Sequence, residues 1–273
     1  MNIRCAIQPS LQQILDVLEE VAPARLAESW DNPGLQIGGR TDPIERILLS
    51  LDPSLEAVQR AAEIKAQLLL SHHPLLFKPL SSIDRNRYPG NVVCEAVKND
   101  VALVSAHTNL DAAIGGINDQ LAALLGLEHV RPLAGEHDPQ EPGLGRVGIL
   151  GTPQRLEELV RDVKTTLQVP VVGIVGPLDR SVHRVAVVGG AGGSMAPDAA
   201  RAGADVLVTG DLGHHDALTA SLLGVAVIDA GHFYTEKAAL EGFSHTLRSR
   251  LQARGWVVEV ETFGEEASPM RYE

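Results

Sequence analysis

The pattern His-x-x-x-Glu at His232 and Glu236 places an imidazole and a carboxylate four residues apart. Apolar residues at helical spacing follow it, so the pair lies at the N-terminal end of a predicted helix; if that helix includes His232, the two side chains point the same way. Two side chains in this position can bind one metal cation together. The alternative is a solvent-facing first turn, where the helix dipole favours acidic residues.

The same spacing recurs at His107 and Asp111, again directly after an apolar run of the strand type. An imidazole and a carboxylate therefore occur twice with one spacing and after equivalent segments. This recurrence favours the metal-binding interpretation of both pairs.

Two adjacent histidines, His72 and His73, follow a third apolar run at 67–70. Ligands of open α/β sheets bind at the carboxyl ends of the strands. Because neighbouring side chains point apart, two adjacent imidazoles suit two metal ions better than one, and Pro74 stiffens the turn that holds them. The alternative is a strand end with incidental histidines.

A second pair of adjacent histidines, His214 and His215, follows the strand predicted at 205–208. With His107, these residues are the candidates for proton transfer or substrate binding. The alternative for the pair is a helix N-terminus with exposed histidines. The glycine-rich segment 189–193 either lines a pocket or contacts a phosphate, although it lacks the Lys-Ser/Thr ending of a phosphate-binding loop.

Imidazoles and carboxylates together suit zinc, iron, manganese, nickel or cobalt. The two cysteines, Cys5 and Cys94, lie in none of these segments, so zinc is not favoured over the other metals. A bridging carboxylate would hold two divalent ions roughly 3.5–4 Å apart, and such a pair turns bound water into a nucleophile near neutral pH.

The elements that must position these residues alternate between strands and helices, which predicts α/β architecture with largely parallel strands. The elements predicted in the first half are strands at 44–51, 67–70 and 101–106 and helices at 11–22, 53–65, 92–98 and 117–125.

The second half of the chain repeats the first. The strand that begins at Arg46 matches the one that begins at Arg184, 138 positions later, and the His107 pair matches the His232 pair, 125 positions later. We therefore predict two similar lobes, each a mostly parallel or mixed sheet with flanking helices, that arose by internal duplication.

The predicted domains are a first lobe at 1–127, a connecting segment at 128–183 and a second lobe at 184–273, with one metal site shared by the lobes. Residues 128–146 are rich in proline, glycine and acidic residues, as is typical of a connection. No large inserted domain is expected in the connecting segment, which contains one predicted helix at 155–167.

The composition bounds the class of protein. The 273 residues are 44% hydrophobic, which is enough for a full core, and the formal net charge is −12. Such a charge repels phosphate backbones, so nucleic-acid binding is not expected. The sequence contains neither a run of about 18 apolar residues nor a signal peptide, so we expect no membrane span and a cytoplasmic protein.

Five segments, in this order, resemble the family known as GTP cyclohydrolase 1 type 2 homologues, or Ngg-interacting-factor-three-like dinuclear metal proteins. The segments are SWDNPGLQIGG (29–39), LLLSHHPLLFKPL (68–80), SAHTNLDAAIGGINDQLA (105–122), DVLVTGDLGHHDA (205–217) and DAGHFYTEKAAL (229–240). The resemblance implies two divalent metal ions per chain, with ligands at His72, His73, Asp111, His232 and Glu236. It places His107 close to that site, and it implies a ring-shaped homohexamer whose metal sites face an inner cavity.

The sequence departs from the family pattern in two places. Longer members carry an extra domain between the lobes, whereas only about 60 residues separate Leu125 from Val185 here. The acidic segment Gly264-Glu265-Glu266 near the C-terminus has no function that the sequence reveals.

Two classes of function fit these residues. The first is a dinuclear metal-dependent hydrolase that acts on a small substrate, such as a purine nucleotide, as a GTP cyclohydrolase does. The second is a non-enzymatic assembly for metal storage, delivery or regulation, which needs the same ligands. The additional histidines favour the enzyme slightly, because storage does not need proton donors.

Overall fold

The computed structural model describes residues 8–39, 43–134 and 141–271, which form two units. The first unit comprises Met1–Leu110 and Glu241–Glu266, and the second comprises Asp111–Leu240 and Ala267–Glu273. In chain order the elements are α1 (Leu11–Val21), β1 (Gly34–Ile37), β2 (Arg46–Ser50), α2 (Leu55–Glu63), β3 (Leu68–Ser71), α3 (Gly90–Lys98), β4 (Ala102–Ser105), α4 (Thr108–Ala112), α5 (Ile117–Leu124), β5 (Glu128–Pro132), β6 (Arg146–Arg155), α6 (Leu156–Thr166), β7 (Gly173–Val175), β8 (Ser181–Ala191), α7 (Ala196–Arg201), β9 (Val206–Gly210), α8 (His214–Leu222), β10 (Ala226–Asp229), α9 (His232–Ala253) and β11 (Glu259–Thr262).

The sheet of the first unit has five strands in the order β1-β4-β3-β2-β11. Strands β4, β3, β2 and β11 are parallel, and only β1 is antiparallel to its neighbour. All four residues of β3 and of β4 are buried, as expected for parallel strands that are covered on both faces. The carboxyl ends of β2, β3 and β4 therefore meet at one edge of this sheet.

Two helices of the first unit, α1 and α2, begin after serines whose side chains cap them. Ser10 accepts a hydrogen bond from the Gln13 backbone N–H, and the Gln13 side chain accepts one from the Ser10 N–H, which completes a capping box on α1. Ser54 caps α2 in the same way. Helix α1 then buries Ile14 and Leu18 on one face, as the spacing predicts.

The sheet of the second unit has six strands in the order β5-β6-β8-β9-β10-β7. Strands β8, β9 and β10 are parallel, while β7 is antiparallel to β10 and β6 is antiparallel to both β8 and β5. The mixed α/β fold with two flanked sheets is thus confirmed.

The two sheets share one arrangement of four strands. In each, three consecutive parallel strands (β2, β3 and β4, or β8, β9 and β10) are followed by an antiparallel strand on the same side, β1 beside β4 and β7 beside β10. The register also agrees, because Ile47 lies opposite Leu68 and Val185 lies opposite Val206, both 21 positions apart. This agreement is what the repeat at 138 positions predicts for a duplicated unit.

Two segments contribute strands to the sheets at positions that the sequence analysis did not predict. Residues 128–183, predicted as a connecting segment, contribute β5, β6 and β7 to the second sheet. The late strand β11 pairs with β2 in the first sheet. Within the described part of the chain, no helix combines the length and apolar character that a membrane span requires.

Candidate metal centre

Three histidines of the first unit lie together where β3 and β4 end. The ring centroids of His72 and His73 are 5.1 Å apart, and those of His107 lie 5.2 Å and 5.4 Å from them. One nitrogen of each ring lies within 4.8 Å of the others. We call His72, His73 and His107 the histidine cluster. Parallel pairing of β3 with β4 brings these residues together although they are distant in sequence.

Hydrogen bonds determine which nitrogen His72 and His73 present to a cation. The His72 Nδ1 lies 2.8 Å from the Ala106 carbonyl oxygen, and the His73 Nδ1 lies 2.8 Å from Asp52 Oδ1. A carbonyl or carboxylate only accepts, so both Nδ1 atoms carry the hydrogen. Nε2 is then the nitrogen with the lone pair, as in many metal-binding histidines.

His107 has the same arrangement with a buried carboxylate. Its Nδ1 donates to Asp31 Oδ1 at 2.7 Å, and the Thr108 backbone N–H donates to Asp31 Oδ2 at 3.0 Å. Burial raises the pKa of Asp31, but the hydrogen bonds from His107 and Thr108 outweigh it and lower the pKa to about 2. Asp31 is therefore ionised at neutral pH and holds the Nδ1–H form of His107.

Two exposed aromatic rings lie beside the histidine cluster. Trp30 and Phe77 have centroids 5.7 Å apart, and they lie 6.0 Å and 6.3 Å from the His107 ring. Their loops are joined, since the Asn32 side-chain amide donates to the Leu76 carbonyl at 2.6 Å. Sequence reasoning did not identify these rings, because isolated aromatic residues in loops have no periodic pattern.

The His232–Glu236 pair lies at the start of α9, and the helix includes His232 as its first residue. His232 Nδ1 donates to Asp211 Oδ2 at 2.8 Å, so Nε2 carries the lone pair when the ring is neutral. That Nε2 lies 3.1 Å from Oε2 of Glu236, a buried carboxylate. A proton or a cation must lie between two such acceptors. Cis ligands of one ion at about 2.1 Å are separated by about 3 Å, so the pair fits a metal ion.

Glycines provide the space for this pair. Gly190 has a φ of +64°, and a Cβ there would lie 2.2 Å from Glu236 Oε1 and 3.2 Å from His232 Nε2. A Cβ at Gly210 would lie 2.3 Å from the His232 backbone nitrogen. The glycine-rich segment thus packs against the His232–Glu236 pair, which favours the pocket-lining interpretation over a phosphate contact.

Asp111 lies in the short helix α4, and hydrogen bonds through Asn118 link its backbone to the strand that packs on Glu236. Its carbonyl accepts a hydrogen bond from the Asn118 side-chain amide at 3.0 Å, and Asn118 Oδ1 accepts one from the Gly189 N–H at 2.8 Å. A Cβ at Gly189 would lie 3.5 Å from Glu236 Cγ. Asn118 therefore bridges the backbone of Asp111 and the strand that packs on Glu236, a role that the sequence did not indicate.

A buried arginine fixes the end of α4 that carries Asp111. The Arg146 guanidinium pairs with the Asp119 carboxylate at 2.5 Å and donates to the Ala113 carbonyl at 2.9 Å. Arg146 thereby satisfies a carbonyl just beyond this helix.

The second histidine pair lies at the start of α8 in the second unit. His214 and His215 are exposed in the first turn of α8, with ring centroids 5.4 Å apart. Over the described residues, neither belongs to a group of three metal-type side chains. A catalytic role for either residue stays a prediction.

The five predicted ligands thus fall into two groups, each described within its own unit. His72 and His73 belong to the first unit, and Asp111, His232 and Glu236 belong to the second. The oriented imidazoles, the buried Glu236 and the space that Gly190 leaves beside it fit a metal ion chemically. Buried histidine and glutamate side chains in this protein can therefore hold a metal ion.

Comparison with known proteins identifies relatives over most of the chain. The model of the Duf34/NIF3 family (NGG1p interacting factor 3) matches residues 9–269. A Clostridium perfringens protein named GTP cyclohydrolase 1 type 2 homolog is 35% identical over 243 residues, which cover 89% of this chain and 93% of the relative. A Streptomyces coelicolor protein of the same name is 36% identical over 259 residues, which cover 92% and 90%. Among solved structures, a Bacillus cereus protein related to NIF3 matches with a TM-score of 0.91 and 27% identity over 98% of this chain and 100% of that chain.

Proposed function

This chain belongs to the Duf34/NIF3 family, and we propose that it is a metal-dependent hydrolase that binds two divalent ions per chain. The ligands in this proposal are His72, His73, Asp111, His232 and Glu236. The observation that carries it is the orientation of the histidine ligands. In each of them a carbonyl or carboxylate binds Nδ1–H, so that Nε2 is the nitrogen available to a metal.

Bound divalent ions supply Lewis-acid chemistry and activate water as a nucleophile. In this proposal Glu236, buried beside His232, holds its carboxylate in the site without competition from bulk water. His107 holds or transfers a proton at Nε2, because Asp31 keeps the hydrogen of the other ring nitrogen in place. The exposed His214 and His215 are secondary candidates for proton transfer.

The substrate in this proposal is a small molecule with a planar ring, such as a purine nucleotide. Trp30 and Phe77 support this, since exposed aromatic rings beside the histidine cluster provide a surface on which a base stacks. The name GTP cyclohydrolase 1 type 2 homolog, carried by the relatives, agrees with a purine. Hydrolytic opening of the imidazole ring of GTP would release formate.

The alternative is a non-enzymatic role in metal storage, delivery or regulation. Partial exposure of His73 and His232 favours this role to some extent, because ligands in contact with water exchange metal readily. Both functions need the same ligands, so substrate turnover distinguishes them.

The test is a screen of purified, metal-loaded protein against nucleotides and phosphoesters, with Glu236→Ala as the control. The hydrolase proposal expects turnover of at least one substrate by the unmodified protein and none by the variant. Metal binding without turnover of any substrate would refute the hydrolase and leave storage or delivery. Equal turnover by both proteins would show that the activity does not arise at this site.

A further inference from the structure

The carboxylate of Glu266 lies against the turn that follows β2 in the first unit. Its Oε1 accepts hydrogen bonds from the backbone N–H groups of Leu51 and Asp52, both at 2.9 Å, and its Oε2 accepts from Leu51 at 3.0 Å. Two consecutive N–H groups that converge on one carboxylate form an anion-binding turn. Charge-assisted bonds of this kind hold the backbone of the turn in one conformation.

The same turn determines the position of His73. The side chain of Asp52 accepts the His73 Nδ1–H at 2.8 Å, and the Leu51 carbonyl accepts the His73 backbone N–H at 2.9 Å. Hydrogen bonds to residues 51 and 52 therefore hold both the ring and the main chain of His73. The Asp52 side chain is half exposed, so water competes for its contact with His73 unless the backbone that carries Asp52 is fixed.

We propose that Glu266 is a positioning residue for the metal site, which acts on His73 through Asp52. This inference rests on the proposed function, in which His73 is a metal ligand. The acidic segment near the C-terminus acquires a role in this way. Strand β11 extends the first sheet, and the chain beyond it brings Glu266 to the turn after the neighbouring strand, β2.

The expected effect is a loss of metal affinity. Substitution of a residue that orients a ligand typically lowers metal affinity by about 10- to 100-fold. Glu266 acts one step further from the metal than Asp52 does. We therefore expect Glu266→Ala to weaken metal binding by about tenfold, the lower end of that range.

The experiment measures the zinc dissociation constant of the full chain by competition with a chromophoric chelator. Glu265→Ala is the matched control, because the adjacent Glu265 is exposed and its removal changes the net charge equally. We expect a loss for Glu266→Ala and none for Glu265→Ala. The double variant Asp52→Ala/Glu266→Ala should bind zinc no more weakly than Asp52→Ala alone, because effects along one chain of contacts are not additive.

Additive losses, or equal affinities in the Glu266 and Glu265 variants, would overturn the inference. If Glu266→Ala does not fold, Glu266→Gln replaces it, since this variant keeps an acceptor for the turn but removes the charge. The variant His73→Ala distinguishes the positioning role of Glu266 from the ligand role of His73. Weaker zinc binding in His73→Ala with unchanged binding in the Glu266 variant refutes the positioning role alone. Unchanged binding in His73→Ala refutes the ligand assignment itself.

Discussion

Replacement of Asp31 by asparagine should destabilise the metal-free protein in a manner that depends on pH. The pKa of Asp31 is lowered from 3.8 to about 2 in the folded chain, and at about 1.36 kcal/mol per pH unit this contributes about 2 kcal/mol to the free energy of unfolding near neutral pH. Because the folded-state pKa is lowered, the contribution is complete above about pH 5 and declines as the pH falls towards 2. At pH 3 about half of it remains.

The assay is urea unfolding of both proteins in the presence of a chelator, at about pH 6 and about pH 3. Asparagine also turns an N–H group towards the Thr108 N–H, which lowers stability at every pH. The difference in unfolding free energy between the two proteins should therefore shrink by about 1 kcal/mol as the pH falls from 6 to 3. Asp179→Asn, at an exposed position, is the control and should show no such trend. A difference that stays constant, or that grows in acid, would refute the explanation of the lowered pKa.

Four further predictions concern the site and the assembly. Gly190→Ala should lower metal affinity, because the added Cβ would meet Glu236. Gly224 has a similar positive φ but open space around it, so Gly224→Ala is the control and should lose only stability, by about 1–2 kcal/mol. Equal metal affinity in these two variants would contradict the role of Gly190. Elemental analysis should find close to two divalent ions per chain after reloading, and less than about half an ion would count against the site. Light scattering at micromolar concentration should give the mass of a homo-oligomer, which we expect to be a hexamer, and a monomeric mass would exclude it. If a substrate is found, His215→Ala should keep its metal and slow turnover by about 10²–10⁴-fold. Glu236→Ala should lose both the metal and the turnover. Loss of metal in His215→Ala would make His215 a ligand.

The parallel cores of both sheets could be predicted from sequence because their strands are continuous apolar runs. Strand β3, Leu68–Ser71, agrees within a residue with the run predicted at 67–70. The equivalent strand of the second unit, β9, follows from the repeat. Parallel strands buried on both faces leave this signal in the sequence whatever their neighbours are.

The antiparallel strands of the second sheet left no such signal. Strand β6, Arg146–Arg155, contains two glycines and a proline, and its second half is largely exposed. Strand β5 is an edge strand whose first residues are exposed. Strand β6 pairs with β8, and β5 pairs in turn with β6; local composition does not reveal either contact.

The candidate ligands could be recognised because each pair lies within five residues of sequence. The residues that orient them could not, because their contacts join distant positions. Asp31 and His107 are 76 residues apart, and Glu266 and Leu51 are 215 apart. Asp31 and Glu266 are acidic residues in loops, and only the fold distinguishes them from the other acidic residues of the sequence.

The group that accepts the Nδ1–H of each histidine differs with the exposure of that histidine: a carbonyl for the buried ring and a carboxylate for the rings that water reaches. His72 is 1% exposed, and a neutral backbone carbonyl suffices to hold its Nδ1–H. The side chains of His107, His73 and His232 are 14%, 22% and 33% exposed, and each is held by a carboxylate instead. Water competes for a neutral hydrogen bond wherever it reaches the ring, whereas a charge-assisted bond is about twice as strong and persists. The carboxylates therefore hold the Nδ1–H form at the rings that water reaches, and Nε2 keeps the lone pair there.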